Sequence, residues 1–587
     1  MFRKSLFYLF LLALAIVLIY NPNFKTIAAG VAILLFGMIM LEEGFRVFTK
    51  GPLQNLLKKA TDKLYKSISV GALVTALIQS SSLVSVITIS FISAGLISLA
   101  GGLGLIFGAN IGTTATAWLV AGFGLKIKIS ALAMPMLVFG IIFSFQKKAS
   151  LKGIGNVLAG LGFFFLGVHY MKEGFDVFKE YIDLTQYAVP GFLGVVIYTG
   201  VGILITTILQ SSSATLALIL TALSAGQIDY ENALALAIGA NVGTTITAVL
   251  GSLSSNVAGR RLAGAHLIFN MVTGLVALGF IYPLADLVNI LSDSFGISTT
   301  DYTLKLALFH TIFNIIGVLL MIPFIKKMEK LLIKVFKEKD EEKDISEPKF
   351  LTESVLEFPA SAIWALRKES KYLFKKAIFE IVAHALNIHR EDIKSNLKLK
   401  KVVKRSQEDM NTDVEELYYT KVKTIYGQII KYATTAQSRL KLSNKQNNQI
   451  SEIIVANRKM VEIIRDVREL NKNVSFYLDS DNEYISKEYD KFRKKIAKVL
   501  RVIYLFRTQD EKEQYYSKLI LLKQEAKEAM RQGNDSINKL IRDGLITVEM
   551  ASSLVNDNDN VNDTIKKLIQ VAELLYGEKD SLLEKAS

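Results

Sequence analysis

The sequence contains no cysteine and has few charged residues in its first 335 positions. The lack of cysteine excludes disulfide bonds, thiol catalysis and zinc sites with cysteine ligands. Residues 1–335 contain 23 Lys and Arg and 13 Asp and Glu, about 11% of these positions, whereas soluble domains average about a quarter. A single soluble globular domain is therefore excluded for this 587-residue chain.

The remaining 252 residues contain 46 basic and 41 acidic residues, more charge than an average soluble domain carries. We therefore expect a membrane domain over 1–335, a charged linker over 336–349 and a cytoplasmic helical domain over 350–587. The net charge of +15 would suit a nucleic-acid partner. In the soluble part, however, the two signs are interleaved and no basic stripe with aromatic residues occurs, which argues against nucleic acid.

Eight segments have the length and composition of membrane-spanning helices, which need about 20 apolar residues. They are 5–21, 27–49, 99–122, 128–146, 153–178, 230–255, 261–282 and 303–325. The first segment follows Arg3 and Lys4, but no small-residue cleavage pattern comes after it, so we interpret it as a retained helix and not as a signal peptide.

Two further apolar segments, 68–97 and 189–226, carry the same four polar residues near their centres. These are Gln79, Ser80, Ser81 and Ser82, and then Gln210, Ser211, Ser212 and Ser213. Such residues are costly against lipid and are tolerated where broken backbone lines a wet cavity. We therefore predict two re-entrant hairpins. The alternative is an ordinary helix whose serines bond to its own carbonyls, which suits a single serine better.

The positive charges predict the orientation. With a cytoplasmic N-terminus and hairpins that do not cross, the larger Lys and Arg clusters lie inside, including the loop around Lys147 and Lys148. Loop 283–302, which has no Lys or Arg, lies outside, and the exceptions are Lys126 and Lys128. The C-terminal domain is then cytoplasmic, and the protein is expected in the plasma (inner) membrane.

The membrane part repeats itself with an offset of 131 residues. Gln79 recurs as Gln210, and seven of nine residues are identical between 108–116 and 239–247. The two copies cover about 28–146 and 158–282. Because an odd number of spanning helices separates equivalent points, the copies are predicted to be inverted, an arrangement typical of secondary transporters. A duplication kept only for stability would not predict that the closest matches are polar.

The polar residues of the repeated motifs are all neutral. Their oxygens suit a hard cation such as sodium, while their donors and the helix N-termini at the hairpin tips suit a tetrahedral oxyanion. No Asp, Glu, Lys or Arg lies near the middle of a predicted span. Since proton-driven carriers usually need an intramembrane carboxylate or His relay, this favours cation coupling.

A smaller motif, His-x-Ile-Phe-Asn, occurs twice, with His266 and Asn270 in one copy and His310 and Asn314 in the other. Residues four apart share a helix face. The pairs suit interhelical hydrogen bonds that lock a bundle or a pH-sensitive contact near the site, and both interpretations stay open.

Paired Gln-Ser-Ser-Ser motifs, each followed by Gly-Ala-Asn-x-Gly-Thr-Thr, resemble the type II sodium–phosphate cotransporter family over about residues 25–325. The resemblance implies sodium-driven import of inorganic phosphate by alternating access. It implies that both Gln-Ser-Ser-Ser motifs bind phosphate. It also implies sodium ligands at Gln79, Ser82, Asn110, Thr113, Thr114, Gln210, Ser213, Asn241, Thr244 and Thr245. The chain lacks the large extracellular loop of animal members and looks like a bacterial member.

Beyond residue 350, apolar residues recur at three and four, which is typical of amphipathic helices. Six are predicted, forming two three-helix bundles: 353–390, 408–440, 444–472, 482–508, 510–542 and 547–577. Behind such a transporter, the region resembles the PhoU-like domains of bacterial members, which implies a regulatory role. In that family acidic pairs four residues apart bind metal. Glu462 with Asp466 and Asp559 with Asp563 have this spacing, as do many solvated helix faces.

No nucleophile–base set or metal triad indicates an enzyme. No resident cofactor is expected apart from co-transported sodium and the metal ion that the acidic pairs would hold. A membrane-anchored phosphate sensor and a carrier of another small oxyanion stay open as alternatives. A homodimer or a cytoplasmic regulatory partner is compatible with each of these functions.

Overall fold

The computed structural model describes residues 15–49, 60–126, 129–179, 181, 184–337, 347–406, 410, 413–478, 480–531 and 535–577. Every regular element in these ranges is a helix. They form two compact units, Met1–Lys337 and Glu338–Ser587, each with its own packing. Seven helices in the described ranges are long and apolar enough to cross a membrane. The prediction of an all-α polytopic membrane protein is confirmed.

The helices of the membrane unit are numbered in chain order. They are α1 (Pro22–Thr49), α2 (Leu64–Ile78), α3 (Ser81–Ser93), α4 (Leu99–Gly112), α5 (Thr114–Trp118), α6 (Ile129–Ser144), α7 (Ala149–Lys179), α8 (Gly191–Leu209), α9 (Ser212–Ser224), α10 (Tyr230–Gly243), α11 (Thr245–Ser252), α12 (Val257–Gly279), α13 (Ile281–Ser294), α14 (Tyr302–Met321) and α15 (Ile325–Val335).

Six of the eight predicted spans coincide with helices of membrane-spanning length, and the seventh such helix is α8, the first arm of the second predicted hairpin. Segment 128–146 corresponds to α6, whose apolar part Leu132–Ser144 is shorter. Segment 5–21 lies mostly outside the described residues, of which 15–20 are helical. The loop between predicted segments 128–146 and 153–178 is shorter than their bounds imply, because α7 already begins at Ala149.

A seam of glycines joins α1 to α7. Glycine recurs every seven residues on both sides, at positions 30, 37 and 44 of α1 and at 153, 160, 167 and 174 of α7. A Cβ atom built on Gly30 would lie 2.6 Å from the Met171 nitrogen, and one on Gly44 would lie 2.8 Å from the Gly153 carbonyl oxygen. The two helices are therefore antiparallel and in backbone contact, which small residues permit in membranes.

The pairs α2–α4 and α8–α10 pack in the same way. A Cβ on Gly108 would lie 2.0 Å from the Ile68 carbonyl oxygen, and one on Gly239 would lie 2.1 Å from that of Thr199. Cβ atoms on Gly71 and Gly202 would each lie 2.3 Å from a carbonyl oxygen, that of Leu105 and that of Leu236 respectively. Every residue in these contacts has its counterpart 131 positions later. The sequence repeat therefore corresponds to a repeated mode of helix packing.

One of the two charges that do not fit the predicted orientation is paired, and the other, Lys128, lies outside the described residues. The ammonium group of Lys126 lies 2.5 Å from a carboxylate oxygen of Asp301, at the end of segment 283–302. Asp301 also caps α14 by accepting from the Leu304 N–H. The predicted loop 283–302 is wrong for most of its length, because α13 extends to Ser294. Lys126 lies beside the acidic segment that the charge pattern assigns to the same face.

The helices of the second unit continue the numbering. They are α16 (Pro359–Leu373), α17 (Phe379–Ala385), α18 (Arg390–Lys394), α19 (Leu399–Arg405), α20 (Val414–Tyr418), α21 (Thr424–Arg439), α22 (Asn444–Leu478), α23 (Glu483–Thr508), α24 (Lys512–Arg531), α25 (Asp535–Arg542) and α26 (Val548–Tyr576). Predicted helices 444–472, 482–508 and 547–577 correspond to α22, α23 and α26, whereas 510–542 corresponds to two helices, α24 and α25. Predicted helix 353–390 ends already at Ala385, and π-helical turns occur at Phe374–Ile378 and at Tyr419–Lys423. The short α18 and α19 were not predicted. The two predicted bundles share one continuous hydrophobic core, because α26 packs against α22, α23 and α24.

Two arginines of α23 hold the segment that carries α18 and α19. The fully buried Arg493 donates to the carbonyls of Leu386, Asn387 and Ser406 and forms an ion pair with Asp490. Farther along the same helix, Arg501 donates to the carbonyls of Asp392, Ile393 and Leu397. These bonds give buried or partly buried backbone oxygens of this segment a side-chain donor.

Candidate functional site

The first Gln-Ser-Ser-Ser motif is a break between two helices. α2 ends at Ile78, and Gln79 takes the left-handed conformation with φ 59° and ψ 24°. Ser80 is extended, and its hydroxyl accepts from the Leu83 N–H at 3.2 Å, so it is the N-cap of α3. A left-handed conformation costs a residue other than glycine about 1–2 kcal/mol. Such strain is concentrated at functional sites.

The second motif has the same geometry. Gln210 ends α8 with φ 53° and ψ 25°, and the Ser211 hydroxyl accepts from the Ala214 N–H at 3.2 Å to cap α9. Among the described residues other than glycine, only these two glutamines and Asn387 have positive φ. The backbone therefore turns in the same strained way at both motifs, as an interrupted element and not as a continuous helix.

Thr116 joins the two motifs. Its hydroxyl oxygen lies 2.7 Å from the Gln79 Oε1 atom of the first motif and 3.1 Å from the Ser213 Oγ atom of the second. Because the amide oxygen can only accept, the Thr116 proton goes to Gln79, and Ser213 can then donate to Thr116. All three side chains are buried. The structure thus brings together two motifs that are 131 residues apart in sequence.

The two glutamines differ in exposure. Gln79 is 8% exposed, and its amide nitrogen donates to the Ala76 carbonyl. Gln210, in contrast, is an exposed residue. The serines that follow them, at 81, 212 and 213, are buried, and those at 80, 82 and 211 are partly buried. The two halves of the site therefore have equivalent backbone geometry but unequal access.

The threonines that follow the motifs donate their hydroxyl protons to their own helices. Thr113 donates to Asn110 and Thr114 donates to Ile111, at 2.6 and 2.8 Å. In the second copy Thr244 and Thr245 donate to carbonyls three or four residues earlier. A hydroxyl oxygen whose proton is used in this way keeps its lone pairs. These oxygens are therefore suited to a cation more than to an anion.

The two motif asparagines have different partners. Asn110 donates to the Ile106 carbonyl of its own helix at 2.9 Å. Asn241 bonds across to α14, where its Oδ1 lies 3.0 Å from the His310 Nε2 and its Nδ2 donates to Asn314 at 2.9 Å. Interhelical hydrogen bonding, one of the two interpretations of the His310 and Asn314 pair, is therefore observed.

An open groove of about 660 Å³ lies beside the first motif. Its lining is almost entirely apolar and includes Ala76, Gly112, Trp118 and Phe123. The one threonine in the lining, Thr114, donates its hydroxyl proton to its own helix. Such walls offer few donors to an oxyanion, so the polar group around Thr116 is the better candidate for ligand binding.

The membrane unit matches a known protein family. The model of the family described as Na+/Pi-cotransporter matches residues 33–173 and 195–336, which together cover most of the membrane unit. This unit belongs to the Na+/Pi-cotransporter family. The family consists of transporters and not of enzymes. Both Gln-Ser-Ser-Ser motifs lie within the matched ranges.

Several relatives of this cotransporter unit are known. YjbB of Salmonella typhimurium, whose name refers to inorganic phosphate export, is 29% identical over 338 residues, covering 57% of this chain and 60% of that protein. YqeW of Bacillus subtilis is 28% identical over 314 residues, covering 51% and 95%. Mouse sodium-dependent phosphate transport protein 2C is 34% identical over 116 residues, covering 19% and 18%. The matches to YjbB thus span about three fifths of that protein's length. No solved structure matches the chain.

The acidic pairs of the second unit lie beside lysines. Lys567 donates to Asp466 at 2.5 Å and lies 3.8 Å from Asp563. Burial raises the pKa of Asp466, and the bond from Lys567 opposes this effect. Glu462 is bonded to Lys459 at 2.7 Å, and Asp559 is exposed. In the part of the chain that the structure describes, no group of three or more His, Asp or Glu could hold a metal ion. Lysines thus neutralise Glu462, Asp466 and Asp563.

Thr116 is the site residue that sequence reasoning missed. It is the last identical residue of the matched segment 108–116, where it pairs with Thr247. That identity was the available signal. The link from Thr116 to both motifs depends on packing between distant helices, which the sequence pattern does not show.

Proposed function

We propose that this protein is a sodium-coupled phosphate carrier. The observation that carries the proposal is the hydrogen-bonded group Gln79–Thr116–Ser213, which joins both Gln-Ser-Ser-Ser motifs through neutral side chains. Membership of the cotransporter family supports phosphate as the substrate. The motif residues Ser80, Ser81, Ser82, Gln210, Ser211 and Ser212 complete the proposed phosphate site.

The helix starts at the two motifs support binding of an oxyanion. α3 and α9 each begin directly after the strained glutamine and its capping serine, and both have 13 residues. The first N–H groups of a helix have no intrahelical acceptor, and the helix dipole favours negative charge there. Hydroxyls from the successive serines add further donors without a fixed charge. Phosphate would thus be bound by donors that allow it to leave again.

Sodium would be bound by side-chain oxygens that have no free proton to donate. Gln79, Asn110, Thr113, Thr114, Thr244 and Thr245 offer amide or hydroxyl oxygens, and hard cations prefer oxygen ligands. The segments 71–122 and 232–255 that carry these residues contain no Asp or Glu. Proton-driven carriers usually rely on an intramembrane carboxylate or His relay, and these segments contribute no carboxylate.

Alternating access is supported by the packing of the copies. α1 and α7 are the equivalent first helices of the two copies, and they run antiparallel along the glycine seam. The motif geometry and the glycine contacts recur with the same offset in both copies. This is what two inverted halves around one central site require. The unequal exposure of Gln79 and Gln210 would then reflect access from one side.

Two directions of transport are compatible with such a site. A sodium gradient directed inward would drive phosphate into the cell, which is the direction that we propose. The names of the YjbB relatives favour export as the second candidate. Orientation in the plasma membrane follows from the positive charges, with the second unit in the cytoplasm, where we propose a PhoU-like regulatory role.

The test is transport by the purified full-length chain in liposomes with labelled phosphate. We expect accumulation when sodium is higher outside, and none with potassium in its place. Liposomes preloaded with phosphate measure export in the same preparation. Gln79→Ala and Gln210→Ala should abolish transport. Thr116→Val should reduce transport by about fivefold or more, because it removes buried hydrogen bonds.

Thr221→Val is a matched control, since its hydroxyl bonds only to its own helix. It should transport as the unmodified protein does. If phosphate import and export were both the same with sodium as with potassium, the proposed sodium coupling would be refuted. Unchanged transport in both glutamine variants would refute the site. Competition by arsenate measures how well the site separates similar oxyanions.

A further inference from the structure

The His-x-Ile-Phe-Asn motif has one copy on α12 and one on α14. Each of these helices packs against both α4 and α10, the helices that carry Asn110 and Asn241. In the α12 copy, Phe269 stacks on Phe107 with ring centroids 4.5 Å apart. The two motifs thus lie beside the helices that end in Gly-Ala-Asn-x-Gly-Thr-Thr.

The α14 copy holds Asn241 from two sides. The Asn241 oxygen accepts from the His310 Nε2 at 3.0 Å, and its nitrogen donates to the Asn314 oxygen at 2.9 Å. The Asn314 nitrogen in turn donates to the His310 carbonyl at 2.7 Å. All three residues are 2–3% exposed. Because the Asn241 oxygen only accepts, the His310 proton must lie on Nε2.

These bonds fix which way the Asn241 amide faces. A rotation of the amide by half a turn would place its N–H2 against the His310 N–H and its oxygen against the Asn314 oxygen. Both contacts would be repulsive in a buried place. One lone pair of the Asn241 oxygen remains after the bond from His310. The clamp formed by His310 and Asn314 therefore determines where an oxygen ligand is available in the second copy.

The α12 copy makes no equivalent clamp among the residues that the structure describes. Asn110 donates to its own helix, and Asn270 donates to the His266 carbonyl at 3.2 Å. Within the described residues, the Asn270 Oδ1 and the His266 Nδ1 are buried without a hydrogen-bond partner. Among the described residues, the asparagine of Gly-Ala-Asn-x-Gly-Thr-Thr is thus hydrogen-bonded to a His-x-Ile-Phe-Asn motif in the second copy and not in the first.

We propose that His310 and Asn314 are positioning residues that orient Asn241 for the transported cation. The inference rests on the proposed function, since it assigns a cation to the second copy. This role goes beyond anchoring α10 to α14. Anchoring alone would work with the Asn241 amide in either orientation, whereas the proposed role requires its oxygen to face one fixed way. Asn241 stands three residues before Thr244, whose oxygen also keeps its lone pairs.

The experiment measures the sodium dependence of His310→Leu, His310→Gln and Asn314→Leu in liposomes. The leucine variants should need about 2- to 12-fold more sodium for half-maximal phosphate transport, the factor that one hydrogen bond supplies. His310→Gln retains an N–H donor and should return most of the affinity. In the Asn241→Leu background, His310→Leu should have no further effect on sodium dependence, because it acts through Asn241.

Asn270→Leu is the matched control, since it changes the same motif position on α12 and should leave the sodium requirement within about twofold. Sodium-dependent thermal stabilisation of the same full-length variants in detergent gives a second readout. If His310→Leu cannot be purified folded, Asn314→Leu provides the same test.

The outcomes are distinguishable from failure of the proposed function. An unmodified protein without sodium dependence in either assay would refute the sodium carrier itself. An unmodified protein that depends on sodium, with His310→Leu and Asn314→Leu showing the same half-saturation, would overturn the inference. A lower melting temperature with unchanged sodium affinity would mean that the clamp only anchors α10 to α14.

Discussion

The repeated backbone contact between α2 and α4 and between α8 and α10 allows a quantitative prediction. In Gly108→Ala, the new methyl carbon would lie 2.0 Å from the Ile68 carbonyl oxygen and 2.7 Å from the Ala72 nitrogen. Carbon–oxygen contacts are normally no closer than about 3.3 Å. The two helices must therefore separate by roughly 1 Å, since backbone atoms cannot rotate away. We expect a cost of about 1–3 kcal/mol, the range for overpacked cores.

Thermal unfolding of the purified full-length chain measures this cost. Each kcal/mol lowers the melting temperature by about 2–4 °C in proteins of about 150–250 residues and by less in longer ones, so the melting temperature of Gly108→Ala should be lower by a few degrees. Gly239→Ala should behave alike, because its methyl would lie 2.1 Å from the Thr199 carbonyl oxygen. Gly200→Ala is the control, since nothing lies within 4 Å of its Cβ. Equal melting temperatures for Gly108→Ala and Gly200→Ala would refute the close packing.

Three further predictions concern the second unit, each followed by thermal unfolding of the full-length chain. Arg493→Leu leaves the carbonyls of Leu386, Asn387 and Ser406 without their buried donor and Asp490 without its ion-pair partner. The free energy of unfolding should therefore fall by about 3–5 kcal/mol. A decrease below about 1 kcal/mol would contradict the role of this arginine. Burial raises the pKa of Asp557 above its ordinary value of 3.8. The folded state therefore holds this proton more tightly than the unfolded state, and the group lowers the free energy of unfolding as pH rises from about 4 towards neutral. Asp557→Asn should reduce this loss of stability with pH, and an unchanged pH profile would contradict the prediction. Lys567→Met leaves the buried Asp466 without its ion pair and should destabilise the fold. The alternative is that the acidic pairs hold metal. In that case manganese would raise the melting temperature of the unmodified protein, and Asp466→Asn would remove this rise.

The broken elements of the membrane unit could be predicted because their cause is local. Four polar residues in an apolar segment, repeated at a fixed offset, exclude a continuous lipid-facing helix, and the structure has left-handed glutamines at both places. The long helices of the second unit follow from their apolar periodicity in the same way, whereas the short α18 and α19 do not. Helix N-caps are local as well, and Thr547 caps α26 because its hydroxyl accepts from the Met550 N–H three residues later.

Features that depend on contacts between distant helices could not be predicted. Nothing near Thr116 in sequence indicates that it lies between Gln79 and Ser213. The acidic pairs fit metal spacing on their own helices, but Lys567, which bonds to Asp466, belongs to another helix. The polarity of the Asn241 amide likewise depends on α14. Sequence periodicity describes one helix at a time, whereas these contacts depend on which helices become neighbours.

The glycine seam between α1 and α7 is formed by two equivalent surfaces, one on each helix. Each of the three seam glycines of α1 has its counterpart 130 residues later in α7, and a Cβ on Gly30 or on Gly160 would approach the backbone of the opposite helix to a similar 2.6 or 2.7 Å. Such a surface is self-complementary, like the interface of a two-fold symmetric dimer. The surface that α1 presents to α7 is therefore equivalent to the surface that α7 presents to α1. The copies are joined by the short turn before α7, and α6 also packs against α7, with a Cβ on Gly140 lying 2.4 Å from the Ala159 nitrogen.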